Sequence, residues 1–183
     1  YRPGKLTIGF TGLKARGASA VAAVAALLDD PDEYIQGRGL FLLYQLGPEG
    51  LRRAGAPEAQ PSASLRIAAF RAMRRAGLEV HATAARLARD MDAGVRREAA
   101  LAMRDQPAGV ALPVLADVAR GFDGVDRSYL EALGTGATGK EAALYERLLP
   151  DLGDADPLRW SNAFAWIAWR LHVPAAVEAL AVR

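Results

Sequence analysis

The sequence predicts an all-α chain, a right-handed α-solenoid of about five stacked helix pairs. Three observations predict it. A phrase that opens on an apolar residue recurs: Ile35, Leu65, Val95 and Val125 stand 30 residues apart, and Leu158 follows after 33. Each phrase then keeps one apolar pattern. Five residues after the opening come Leu40, Phe70, Ala100, Leu130 and Ala163, and eight after it come Leu43, Met73, Met103, Leu133 and Trp166. These offsets fall on one face of a helix. Finally, only KLTIGF at 5–10 shows the period-two alternation of a strand.

Taken in order, residues 1–17 read as an N-terminal extension, a linker from a preceding domain, and 18–183 as the helical domain. SAVAAVAALL (19–28) is the first apolar helix. The recurring phrases are the longer helices. Asp32, Ser62 and Asp92 stand three residues before their opening apolar residue, and Asp123 and Asp156 two before, where a side-chain oxygen can cap a helix. Gly47, Gly77 and Gly134 are placed to end the helices. A second helix follows each: PEGLRRAG, which is stunted, then VHATAARLAR, VALPVLADVAR, EAALYERLL and PAAVEALAVR. A pair of about 30 residues cannot bury its own apolar face, so neighbours must stack.

DPDEYIQGRGLFLLYQLGPEG, VRREAALAMRD and ALPVLADVAR resemble HEAT repeats. FDGVDRSYLEALGTGATGKEAALYERL (122–148) and DPLRWSNAFAWIAWRLHVPAAVEAL (156–180) are similar to something narrower, the HEAT region of large membrane-bound dehydrogenases that carry a c-type haem module. The resemblance spans about 18–183. It implies a sugar-dehydrogenase-like β-propeller before such a region, a CxxCH haem module after it, and an exported or periplasmic setting. This chain has no cysteine, so it has no CxxCH, and the family's redox chemistry maps onto none of its residues. No cofactor is expected in the segment. Its first residue is Tyr1, and the chain reads as a piece of a larger protein or a processed product.

Several motifs invite chemistry and fail on their details. GTGATGKE (134–141) satisfies both GxGxxG and GxxxxGK, but helical sequence precedes it and Glu141 stands where a magnesium-binding hydroxyl is needed. It reads as an inter-helix turn. His81 and His172 are the only histidines, without carboxylates at ligand spacing. The acid pairs Asp29/Asp30 and Asp154/Asp156 lie at helix starts, where capping accounts for them. No catalytic constellation emerges.

Interaction is the remaining theme. Leu158, Trp166 and Trp169 follow the inward template, whereas Trp160, Phe164 and Ile167 form a second stripe, expected to dock another domain or a second copy. Arg71, Arg74 and Arg75 belong to an arginine series that forms a solvated face or a docking surface for an acidic partner. HEAT-like DNA glycosylases also use Trp and Arg, yet the net charge is only +2 and residues 122–157 hold three bases against eight acids. A phosphate backbone would be repelled there. Apolar runs stop well short of the roughly 18–20 residues of a membrane span. The expected role is a scaffold whose partners are proteins, with a free-standing adaptor as the alternative.

Overall fold

The computed structural model describes residues 5–183, with side chains from residue 9 onward. Among these residues the chain is all-α, with twelve α-helices, four short 3-10 turns and no strand. It divides into two compact units, one ending at Val80 and the other spanning His81–Arg183.

The first unit holds α1 (Lys5–Ala15), α2 (Val21–Ala25) between two 3-10 turns, α3 (Glu33–Leu43), α4 (Gly47–Ala54) and α5 (Ala63–Arg75). KLTIGF is therefore helical, which corrects the strand-like reading. Its alternation is too short to outweigh the helical pair Phe10 and Leu13, which pack on the unit's core of Val21, Val24, Leu40, Leu43 and Leu65. Residues 1–4 of the expected extension lie outside the described residues. Helix α3 is central, packing on α2, α4 and α5.

The second unit holds α6 (His81–Leu87), α7 (Ala93–Ala102), α8 (Ala108–Arg120), α9 (Arg127–Gly136), α10 (Glu141–Leu152), α11 (Asn162–Leu171) and α12 (Pro174–Val182). Helices α7, α9 and α11 pack side by side in one row, and α6, α8 and α10 in another. The rows meet over Ala99, Leu115, Leu133, Leu144 and Leu148, all essentially solvent-free. Each such leucine contributes about 1.5–3 kcal/mol relative to exposure.

Helix starts follow one scheme. Ser62 accepts from the Leu65 N–H at 3.2 Å, Asp92 from Val95 at 3.0 Å, Asp126 from Tyr129 at 3.1 Å and Ser161 from Phe164 at 3.1 Å. Asp32 caps α3 through Tyr34. In three places an aspartate two residues earlier accepts from the following aspartate's own N–H: Asp30 to Asp32, Asp90 to Asp92 and Asp154 to Asp156. A side chain further on then reaches back six residues to a carbonyl: Gln36 to Asp30, Arg66 to Gln60, Arg96 to Asp90 and Trp160 to Asp154. Cap and tether together close the turns before α3, α5 and α7, whereas α9 has the cap alone and the Trp160 tether closes the 3-10 turn ahead of α11.

This scheme corrects two expected registers. The cap of α9 is Asp126, not Asp123, which instead receives the Val125 and Asp126 N–H groups; Val125 is 81% exposed and Tyr129 takes the first inward place. Asp156 caps only the 3-10 turn Pro157–Arg159, and α11 starts afresh at Ser161. The glycine stops also need sorting. Gly77 ends α5 with positive φ, its N–H bonding Arg74 and that of Leu78 bonding Met73, which is a Schellman closure. Gly47, also at positive φ, opens α4, and Gly134 lies inside α9.

Candidate interaction surface

Starting α11 at Ser161 rotates its faces relative to the expected template. Trp160 stays extended (φ −60°, ψ 139°), which breaks the phase between the 3-10 turn and the helix. From the cap, Phe164, Ile167, Ala168 and Leu171 turn inward, each at most 3% exposed. Trp160 is 5% exposed, its indole N–H donating to the Asp154 carbonyl at 2.8 Å. Its ring stands edge-on to Phe164 with centroids 4.8 Å apart, and Phe164 stacks on Tyr145. The structure thus brings Trp160 and Phe164 together, as core, with Ile167 also buried. The residues expected inside, Leu158, Trp166 and Trp169, are 61%, 44% and 48% exposed. Inward and outward aromatic faces are exchanged.

Trp166 and Trp169 form an edge-to-face pair with centroids 5.6 Å apart. One turn beyond Trp166, Arg170 crosses to α9 and pairs with Glu131 at 2.8 Å. Arg127 approaches the same carboxylate at 3.9 Å, and Arg97 of α7 reaches Asp126 at 3.7 Å. The neighbourhood is therefore two half-exposed indoles beside an arginine-rich helix surface. Sequence reasoning placed these tryptophans inside. The signal that locates them is Ser161, three residues before Phe164.

Arg71, Arg74 and Arg75 are exposed on α5, and the last two lie in its final turn, where cations complement the helix dipole. Arg75 and Lys14 border a cleft of about 290 Å³ lined also by Tyr44, Gln45, Pro48 and Leu51. Tyr44 donates to the Gly55 carbonyl at 2.7 Å; burial first, and the Glu58 carboxylate second, push its phenol up to about 12. It is a neutral donor at physiological pH. In the second unit, Tyr145, Leu149, Pro150, Trp160, Ala175 and Ala179 line an open cleft of about 550 Å³.

The chemically suggestive motifs resolve into packing. Gly134 and Gly136 are helical, so GTGATGKE is a helix end and a turn in which only Gly139 has positive φ. A β-carbon at Gly136 would stand 2.2 Å from the Ala100 carbonyl oxygen, and one at Gly134 would meet the Arg170 guanidinium. Lys140 donates to the carbonyls of Arg104 and Thr138, and Glu141 accepts from the Gly139 N–H. His81 bonds Gln106, and His172 adopts the left-handed conformation at the end of α11. Asp154 and Asp156 serve the turn before α11. Among the described residues no three His, Cys, Asp or Glu side chains cluster as metal ligands, and no helix is long and apolar enough to cross a membrane. Compared with family models, curated proteins and solved structures, the chain matches none.

Proposed function

We propose that this chain is a non-catalytic interaction module, a right-handed α-solenoid of HEAT-like helix pairs that holds the domains of a larger exported redox protein in register. The observation that carries the reading is the recurring capped and tethered helix start, combined with the two-row packing of α6–α11. Repeating local closures of this kind suit a stack in which each pair contacts only its neighbours. The setting within a redox protein rests on the resemblance of 122–180 to the HEAT region of the haem-bearing membrane-bound dehydrogenases.

The absence of a catalytic role is supported by the duties of the reactive side chains. Asp92, Asp123, Asp126, Asp154 and Asp156 accept backbone N–H groups, Lys140 binds carbonyls and His81 bonds a glutamine. Two experiments test the proposal. A variant lacking 157–183 should lose stability yet keep slow amide exchange in α2–α5, because a stacked array loses only the neighbours of the removed pair. Loss of protection throughout would overturn the solenoid. The reading frame around the segment should encode a propeller upstream and CxxCH downstream; any other context sinks the redox setting.

A further inference from the structure

We infer that the α9–α11 face centred on Trp166 and Trp169 is a docking site for a short acidic peptide segment bearing a large apolar anchor. The inference rests on the reading of this chain as a protein-binding module and names the chemistry of the partner.

The first observation is the unburied indole pair. Its residues are 44% and 48% exposed, while Phe164, Ile167 and Ala168 on the same helix are at most 1% exposed. Half-exposed aromatic side chains set edge-to-face present an apolar notch, and such anchors dominate interface energy when a partner covers them. The second observation is how charge is sorted. Residues 122–157 carry excess acid, but most of those carboxylates serve turns and other helices. Asp123, Asp126, Asp154 and Asp156 bind N–H groups at the turns, Glu141 binds Gly139, and Asp151 pairs with Arg120 of α8. Within α7, α9 and α11, Arg96 is turned toward the loop carbonyls and Tyr129, and Glu98 is buried. What remains is Arg97, Arg127 and Arg170 against Glu131 and the α9 cap Asp126, whose second carboxylate oxygen lies 3.7 Å from Arg97, which leaves one positive charge in surplus. Arg127 keeps 83% of its side chain exposed.

Arg170 is held in place, since its guanidinium lies over Gly134 and bonds Glu131. Arg170 thus offers a positioned guanidinium, and Arg127 a solvent-exposed one, to incoming carboxylates beside an apolar notch. A nucleic-acid strand fits less well. It needs a cation for each phosphate along its track, whereas here Glu131 and Asp126 already offset part of the arginine charge and the turns at the helix starts are acidic.

The test is to pan a displayed random 12-residue peptide library on the immobilised 183-residue chain, then titrate the most enriched peptide by fluorescence polarisation. The enriched peptides should carry net negative charge and at least one large apolar residue. The double variant W166A/W169A and the single variant Arg127→Glu should each weaken binding at least about tenfold, while keeping the helical circular dichroism of the parent chain. Enrichment of basic or neutral peptides, no enrichment, or binding indifferent to both variants overturns the inference. Tighter binding of labelled oligothymidylate that displaces the peptide overturns it in favour of nucleic acid. Peptides that bind but ignore these substitutions leave the protein-binding reading standing with the site elsewhere.

Discussion

Trp160→Ala deletes an indole that packs edge-on against Phe164 and bonds the Asp154 carbonyl. Urea unfolding should show a loss of about 3–5 kcal/mol. Trp166→Ala, which removes a half-exposed ring from the same segment, should cost less than about 1 kcal/mol. Two glycines make a similar contrast. Gly136→Ala drives a methyl into the Ala100 carbonyl, a backbone atom that cannot step aside, and should cost at least about 2 kcal/mol. Gly134→Ala meets only the Arg170 guanidinium, a side-chain end that can shift at the cost of its Glu131 bond, and gains helix propensity in return; its net effect should stay within about 1 kcal/mol. The same thermal or urea measurement ranks all four, and an inverted order in either pair contradicts this account of the packing.

At the scale of elements, Arg96 binds one helix to its surroundings. From α7 it donates to the Asp90 and Met91 carbonyls before the helix, to the Gly121 carbonyl after α8, and to the Tyr129 hydroxyl of α9. Arg96→Ala should cost about 2–3 kcal/mol. Arg96→Lys should recover less than half of that, because one ammonium cannot span acceptors spread around a planar fork; full rescue by lysine would refute the geometry. Much of the element pattern was legible in the sequence. Asp32, Ser62 and Asp92 each stand three residues before an apolar residue, and the helices over α3, α5 and α7 follow. The second helices fall where their apolar runs put them. The fourth and fifth phrases mislead because they open on Val125 and Leu158, each two residues after an aspartate that resembles a cap. Asp126 and Ser161 also stand three residues before a large apolar residue, Tyr129 and Phe164, and that spacing outranks periodicity because it is a hydrogen bond. The docking face was hidden for the same reason: a slipped register exchanges the two faces of α11. The tethers from the second position of the first three phrases, Gln36, Arg66 and Arg96, are not legible in the sequence, since a contact back to a carbonyl leaves no mark on hydropathy.

Across the whole molecule the tyrosines set an alkaline limit. Burial raises the phenols of Tyr44 in the first unit and of Tyr129 and Tyr145 in the second, with the Arg96 hydrogen bond partly opposing the shift at Tyr129. A raised folded-state value means that the folded chain holds its proton more tightly than the unfolded one. The resulting stability is complete below the ordinary value of 10.0 and is lost as pH climbs; for Tyr44 the window runs from 10.0 to about 12. That residue alone should cost about 2–3 kcal/mol across the window. Urea midpoints should hold steady between pH 7 and 9 and fall above 10. Tyr44→Phe, weaker by about 1 kcal/mol at neutral pH through its lost hydrogen bond, should show a shallower alkaline decline. An unchanged slope would mean that the Tyr44 phenol ionises normally.

The capped and tethered starts have a consequence for how such a chain can change length. From Ile35 to Leu65 and from Leu65 to Val95 the interval is 30 residues, but from Val95 to Tyr129 it is 34, and from Tyr129 to Phe164 it is 35. The surplus residues do not disturb the helices. They are taken up before the cap, in the turn at Asp123–Val125 and in the 3-10 turn Pro157–Arg159. A start fixed by its own cap bond, Asp126 to Tyr129 or Ser161 to Phe164, is indifferent to how many residues precede it. Insertions and deletions upstream of a cap are therefore absorbed, and a lineage of such chains can drift in spacing while each helix keeps its inward face.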